Sequence, residues 1–256
     1  MILYVNGDSH SAGAEAVNTY CFAGDDPLYY ALGRKPHPDN ERVSYGCLLA
    51  NHLGAILHCD AESASSNARI IRTTKEYLKT EKPDFIVIGW ATWEREEWLH
   101  DGVYYQVNAS GTDSVPEVLR DEYKSWVITQ STSDIINTVT LQAHKDIHDF
   151  HLELQDQGIK HFFFSTLHSF ANITNLEHLG GKEFNWHDCY FHPYEDNMTY
   201  HAYLTERGHE PRPVWIGPKA IREKKPIPPK SYHLNDRAHE AWAETLLPIV
   251  QNLLTK

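Results

Sequence analysis

The strongest constraint on what this chain can fold into lies at its amino terminus. Ile2-Leu3-Tyr4-Val5-Asn6 is an apolar, strand-forming run that stops abruptly at Gly7-Asp8-Ser9. A run without polar alternation suits a strand buried on both faces, as in a parallel sheet covered by helices. Such sheets place ligands and chemistry outside the carboxyl ends of their strands, which is where this run delivers its serine. A serine hydroxyl attacks well only when a neutral imidazole takes its proton and a third group fixes the imidazole tautomer. Near the other end, Asn235-Asp236-Arg237-Ala238-His239 sets an Asp and a His three residues apart at a helix start.

Between these ends the pattern alternates strand and helix. Residues 18 to 40 are polar and carry Gly and Pro, so they read as a surface excursion. From Glu41, the spacing of Val43, Cys47, Ala50 and Leu53 follows one helical face, which Gly54 stops, and Ala55–Cys59 reads as a short buried strand. Glu62–Thr73 begins small and polar and turns helical through Ile71, Thr74 and Leu78. A strand, a small-residue turn and a helix start together present backbone N–H groups to an anion.

Phe85–Trp90 is the clearest central strand. Residues 91–130 show two aromatic clusters and no sustained period, which predicts an insertion over the active edge. A long helix is predicted from Ser131, with Ile135, Val139, Ala143, Ile147, Phe150 and Leu154 inward and Gly158 closing it, followed by a strand at Lys160–Ser165. Residues 166–232 are irregular, rich in His and aromatic residues and then in proline, and read as a second insertion. Asp236–Leu254 is an amphipathic helix with Ala238, Trp242, Leu246, Ile249 and Leu253 inward. The alternation predicts an α/β fold with a parallel sheet and helices on both faces. One domain over 1–256 is expected, with caps at about 91–130 and 166–232.

Composition excludes several classes of partner. The net charge is −12, with 35 acids against 23 bases, which disfavours nucleic acid and anionic membrane surfaces, since phosphate neutralisation needs clustered Lys and Arg. No apolar run approaches the roughly 20 residues of a membrane helix, and the first residues carry no secretory pattern. A cytoplasmic location is therefore expected, with a phage or virion setting as the other possibility. The four cysteines, Cys21, Cys47, Cys59 and Cys189, lack paired spacing and are expected as thiols. The sequons at Asn108, Asn172 and Asn197 would matter only in a secreted eukaryotic protein. His187, Cys189, His192 and His201 have zinc-type donors, but their spacing matches no close-set ligand pair in a chain of 17 histidines, so no metal site is predicted.

Gly7-Asp8-Ser9 followed by a C-terminal Asp-x-x-His resembles the SGNH, or GDSL-type, hydrolases, a superfamily of serine esterases and acyl hydrolases. The likeness runs in order over most of the chain, with the matching motifs at its two ends. It implies a three-layer α/β/α fold around a flavodoxin-like sheet of about five parallel strands. It further implies Ser9 as nucleophile, His239 as base, Asp236 as its partner, and no cofactor. Asp8 is expected to serve the turn, because neighbours along a strand point apart, and His10 to be a solvated loop histidine.

The oxyanion donors depart from that family's pattern. Its second block carries a glycine and its third reads Gly-x-Asn-Asp; here the turns are Ala64-Ser65-Ser66-Asn67 and Gly89-Trp90-Ala91-Thr92. Ala64 can still donate its backbone N–H, whereas Ala91 has no side-chain donor. Losing such a donor costs on the order of a hundredfold or more in turnover. Asn67 is read as a replacement donor or a helix cap, and Thr92 as a hydroxyl donor or loop packing. Trp90, with Trp93, Trp98, Tyr104 and Tyr105, is read as a platform for a sugar ring or acyl chain, or as ordinary packing. Arg69, Arg72 and Arg95 would bind an anionic substrate or pair with acids such as Glu94 and Glu96. The implied function is ester hydrolysis through an acyl-enzyme, with a small-molecule or glycan ester as substrate and a carbohydrate O-acetyl group preferred. The alternatives are an acyltransferase acting on a glycan and a glycan-binding protein on the same scaffold.

Overall fold

The amino-terminal strand takes an inner position in a parallel sheet. The computed structural model of the protein describes residues 1–17, 35–109, 115–130, 132–209, 211–213 and 230–256. In chain order these hold β1 (Ile2–Gly7), α1 (Pro38–Val43), α2 (Tyr45–Leu53), β2 (Ile56–Cys59), α3 (Asn67–Leu78), β3 (Phe85–Trp90), β4 (Glu96–His100) and β5 (Val103–Val107). Then follow α4 (Arg120–Gln130), α5 (Ser133–Asp156), β6 (His161–Ser165), β7 (Tyr190–Phe191), α6 (Tyr200–Glu206), β8 (Pro211–Pro213), β9 (Lys230–Leu234) and α7 (Asp236–Thr255). The main sheet runs β2-β1-β3-β6-β7, every neighbouring pair parallel. Counting only its own strands, that order is 2-1-3-4-5, the flavodoxin-like arrangement.

Alternation along the inner strands builds a core on each face. Leu3, Val5, Phe85, Val87, Phe162 and Phe164 point to one side, against Tyr45 and Leu49 of α2 and Trp242, Leu246 and Val250 of α7. Tyr4, Ile86, Ile88, Trp90 and Phe163 point to the other, against Ile70 of α3 and Ile147, Phe150 and Leu154 of α5. Three layers follow, because a strand buried on both faces needs a helical cover on each. Asn6 is the polar exception in β1. Its carboxamide accepts from Gly7 N at 2.8 Å and donates to Thr74 Oγ1 at 3.0 Å, so the strand end is tied to α3.

Local readings hold in some places and shift in others. Ser44 ends α1 and caps α2, its Oγ accepting from Cys47 N, so the predicted helix is two short ones; Gly54 closes the second at φ 60°. The strand read as buried at residues 55–59 is an edge strand with Ile56 exposed. The long helix begins at Ser133; of its predicted inward residues Ala143, Ile147, Phe150 and Leu154 are buried in the core and Val139 packs against it, whereas Ile135 is half-buried outside that cluster.

The two irregular segments contain more structure than their lack of period suggested. Residues 91–130 hold the β4–β5 hairpin and α4. Residues 166–232 supply the fifth strand of the sheet, β7, besides α6 and β8, and include the start of β9. A two-residue strand is too short for periodicity to reveal. Of the predicted excursion at 18–40, residues 18–34 lie outside the described residues.

The seam between β1 and β3 leaves room for the segment that follows β1. Gly7 and Gly89 are register partners. A Cβ at Gly89 would meet Ser11 Oγ at 2.5 Å and Phe164 Cζ at 2.7 Å, and one at Gly7, where φ is 153°, would meet Ser11 Oγ at 2.2 Å. The turn carrying Ser9 therefore settles onto the sheet only because both positions lack side chains. Gly89→Ala is expected to cost about 1–3 kcal/mol, as overpacking of a filled core does, and to lift the turn bearing Ser9. Urea denaturation midpoints of the variant and the parent protein check this.

Candidate active site

Residues 8–16 leave β1 as a run of tight turns, with Ala12 N donating to Asp8 O, Ala14 N to Ser9 O and Ala16 N to Gly13 O. The whole run is buried. Ser9, at its start, faces a cleft of about 350 Å³ bordered also by Ala64, Arg95, Asn108 and His233. Glu15, near its end, is 2 % exposed and adopts φ 61°, which is strained for a side-chain-bearing residue.

A chain of hydrogen bonds joins these groups. His233 Nε2 lies 2.7 Å from Ser9 Oγ, and His233 Nδ1 lies 2.9 Å from Glu15 Oε2. With its hydrogen on Nδ1, the imidazole donates to the carboxylate and turns the Nε2 lone pair toward the serine hydroxyl. This arrangement can withdraw a proton from Ser9 and stabilise the imidazolium that results. His233 stands in β9, whose backbone pairs antiparallel with β8.

The imidazole reaching Ser9 is thus not the one in the Asp-x-x-His motif. His239 is 1 % exposed on the inward face of α7, where its Nδ1 accepts from Tyr45 N at 3.3 Å and lies 3.5 Å from Tyr200 Oη. Its ring stacks on that of Tyr45 at 6.1 Å. The cause is helical geometry: His239, Trp242, Leu246 and Val250 share one stripe, and that stripe is the core side of α7. Asp236 is exposed in the first turn, and the helix cap is Asn235, whose side chain accepts from Ala238 N.

The other expected site residues divide. Ala64 borders the cleft and adopts φ 64°. Asn67 neither caps α3 nor borders the cleft: Ser66 is the cap, and the Asn67 carboxamide accepts from Ala91 N at 2.9 Å and donates to Ala91 O at 3.3 Å. It thereby clamps the turn after β3 to the start of α3. Thr92 is buried away from the cleft lining, and its hydroxyl has no hydrogen-bond partner among the described residues. Trp90 is fully buried, edge-on to Phe163 at 5.0 Å, because position 90 of an inner strand faces the α3–α5 core. Trp93 stacks on Phe170 and Trp98 meets Trp126 edge-on, so these rings pack among themselves.

The three arginines, read as anion binders or ion-pair partners, form ion pairs. Arg95 pairs with Asp8 at 3.0 Å, not with Glu94, while Arg69 pairs with Glu62 and Arg72 with Glu97 and Glu76. Asp8 does serve the turn, its Oδ1 accepting from His10 N at 3.0 Å. Burial pushes its carboxyl upward against the opposing pull of Arg95. His10 is buried, not solvated: its ring centroid lies 5.0 Å from that of His233, and desolvation holds it well below the ordinary histidine range.

Sequence reasoning missed Glu15 and His233. A lone glutamate inside Ala12-Gly13-Ala14-Glu15-Ala16 was the available signal, since an acid in a small apolar run asks for a buried partner. The four residues with zinc-type donors, from which no metal site is predicted, have separate neighbours. His192 pairs with Glu195 and His201 lies beside His10, whereas Cys189 meets His151 and His161.

No protein-family model and no curated protein matches this chain. Among solved structures, it is similar to a carbohydrate esterase family 2 enzyme with a carbohydrate-binding domain from Corynascus thermopiles (Myceliophthora fergusii), at 14% identity and TM-score 0.43 over 100% of this chain and 67% of that one. It is similar as well to a protein described as lipolytic, of the G-D-S-L family, from Desulfitobacterium hafniense, at 9% identity and TM-score 0.39 over 97% and 98% of the two chains. A third is a carbohydrate esterase whose active site is described as having divergent catalytic and non-catalytic binding functions, at 13% identity and TM-score 0.40 over 98% of this chain and 64% of that one. Likeness of this degree carries nothing about chemistry, which rests here on the side chains themselves.

Burial of His239 has a consequence for acid stability. Desolvation, and then the nearby His233, lower its pKa from 6.5 to about 3. Between those values the unfolded chain binds a proton that the folded chain refuses. Stability therefore falls as pH drops from about 6.5 toward 3, and is fully retained above 6.5. His239→Gln should flatten this dependence by up to about 1.4 kcal/mol per pH unit, read from urea midpoints measured across the window.

Proposed function

We propose that the protein is a serine esterase in which Ser9 is the nucleophile, His233 the general base and Glu15 the group that orients the imidazole. The observation that carries this reading is the continuous Ser9–His233–Glu15 hydrogen-bond chain at the cleft. Ser9 Oγ attacks the ester carbonyl while His233 Nε2 takes the hydroxyl proton. Collapse of the tetrahedral intermediate breaks the bond to the alkoxy oxygen, which leaves with that proton, and the acyl group stays on Ser9. Water then repeats the sequence in reverse, with His233 as its base.

The developing oxyanion needs donors where it forms. The backbone N–H groups of Ser9 and Ala64 are assigned this role. Arg95, which borders the same cleft, offers guanidinium hydrogens in place of the asparagine absent at position 91. The cleft is small and its border sets Ser63, Glu94, Arg95 and Asn108 beside Ala64, Ala109 and Leu167, which suits a short acyl group on an alcohol with both hydroxyls and an apolar face. A carbohydrate O-acetyl ester fits that description. Transfer to a sugar hydroxyl instead of water uses the same first half-reaction, and product analysis with and without a glycan acceptor separates the two.

The expected result is stoichiometric fluorophosphonate labelling at Ser9, lost in Ser9→Ala. Turnover of an acetyl ester should fall between about 10⁴- and 10⁶-fold in His233→Ala and about 10⁴-fold in Glu15→Gln. A folded His239→Gln variant should keep its activity. Unlabelled Ser9 in folded protein, or loss of turnover with His239 but not with His233, would overturn the assignment and favour a binding protein on this scaffold.

A further inference from the structure

A second cluster of reactive side chains lies at the opposite end of the sheet from Ser9. His161 opens β6, whereas Ser9 follows the carboxyl end of the parallel strand β1. His151, from the last two turns of α5, and Cys189, one residue before β7, converge on it. One donor atom from each of the three lies within 4.8 Å of the other two. His151 and His161 are both buried, at 0 % and 2 % exposure, with His151 Nδ1 only 2.8 Å from His161 Nε2.

The outer contacts are those that orient metal ligands. His161 Nδ1 lies 2.8 Å from the carbonyl oxygen of Ile159, which places its hydrogen there and turns the Nε2 lone pair into the cluster, where it accepts from His151 Nδ1. An ion takes the place of that hydrogen, which shifts to His151 Nε2. His151 directs Nδ1 inward, and its outer nitrogen, Nε2, lies 3.3 Å from His187 Nδ1. Cys189 is placed by its backbone, its carbonyl accepting from Phe163 N at 2.8 Å. The two residues before it, His187 and Asp188, are held at φ 49° and 63°, a costly conformation for non-glycine residues.

We propose that His151 Nδ1, His161 Nε2 and Cys189 Sγ bind a zinc-class divalent cation. Two imidazoles and a thiolate are the donors that select this ion over magnesium or calcium. Tetrahedral zinc, with bonds of about 2.0–2.3 Å, sets its donors about 3.3–3.6 Å apart, so the imidazoles open by about half an ångström and the sulfur closes in. Water completes the fourth position from the adjoining cleft of about 320 Å³, which His161, Cys189 and Gln155 border. The ion would pin the end of α5 to the start of β6 and to the segment leading into β7, far from the ester chemistry.

Tag-free protein, loaded with zinc and dialysed against metal-free buffer, should retain one zinc per chain by elemental analysis. Cobalt in its place should give intense four-coordinate visible bands and a thiolate-to-cobalt charge-transfer band. Cys189→Ser should lose the charge-transfer band, and His161→Gln the stoichiometric retention. For variants that do not fold, the parent protein supplies the test: zinc should slow iodoacetamide alkylation of Cys189 at least tenfold, mapped by peptide mass. Retention well below one zinc per chain, weak six-coordinate cobalt bands, retention unchanged in Cys189→Ser and His161→Gln, or unprotected Cys189 would each overturn the site.

Discussion

A carboxylate taken almost wholly out of water must find a donor, and Glu15 finds His233. Burying an unpaired carboxylate is among the costliest events in folding. This contact therefore fastens β9 over the turn that follows β1, across a sequence separation of 218 residues. The same imidazole turns its second nitrogen to Ser9, so the interaction that satisfies a buried carboxylate also sets a ring nitrogen against the serine hydroxyl. Positive φ at Glu15 indicates that the turn accepts strain to bring the carboxylate inward.

Everything beneath this contact is arranged to let residues 8–16 lie flat. Gly7 and Gly89, side by side in β1 and β3, remove the Cβ atoms that Ser11 would strike. Asn6 holds the end of β1 to α3, and Asn67 holds the turn after β3 to the start of that helix. The β4–β5 hairpin is fixed to the same place: Gln106 Oε1 accepts from Ser66 N at 2.9 Å, and Glu97 pairs with Arg72. These links set the positions of Ala64 and Arg95 along the cleft. The cleft is therefore built by backbone-anchored elements more than by its own lining.

The histidines divide by the side of the element on which they fall. His239 lies in the stripe that α7 presents to the core, so its proximity to Asp236 in sequence does not put the two in the same surroundings. Asp236 points to solvent from the first turn, where an acid favours the helix dipole. His233, three residues before Asp236, leaves the chain from a strand and reaches the sheet edge. The Asp-x-x-His spacing selects His239 and passes over His233, which precedes the aspartate. Side-chain direction, which spacing does not encode, sets His233 beside Ser9.

What the sequence by itself determined was the scaffold: the inner strands β1, β3 and β6, the inward faces of α5 and α7, and the position of Ser9 after a buried strand. These are local, periodic signals, and burial on both faces of a strand writes itself into consecutive residues. The fifth strand, the hairpin over the cleft, and the partners of Ser9 were decided only in three dimensions. β7 is two residues long and has no period to read. Glu15 and His233 are joined by packing of the chain's two ends, which involves no spacing rule. The meeting of His151, His161 and Cys189 has the same origin, since each comes from a different element and none carries a close-set partner in the sequence.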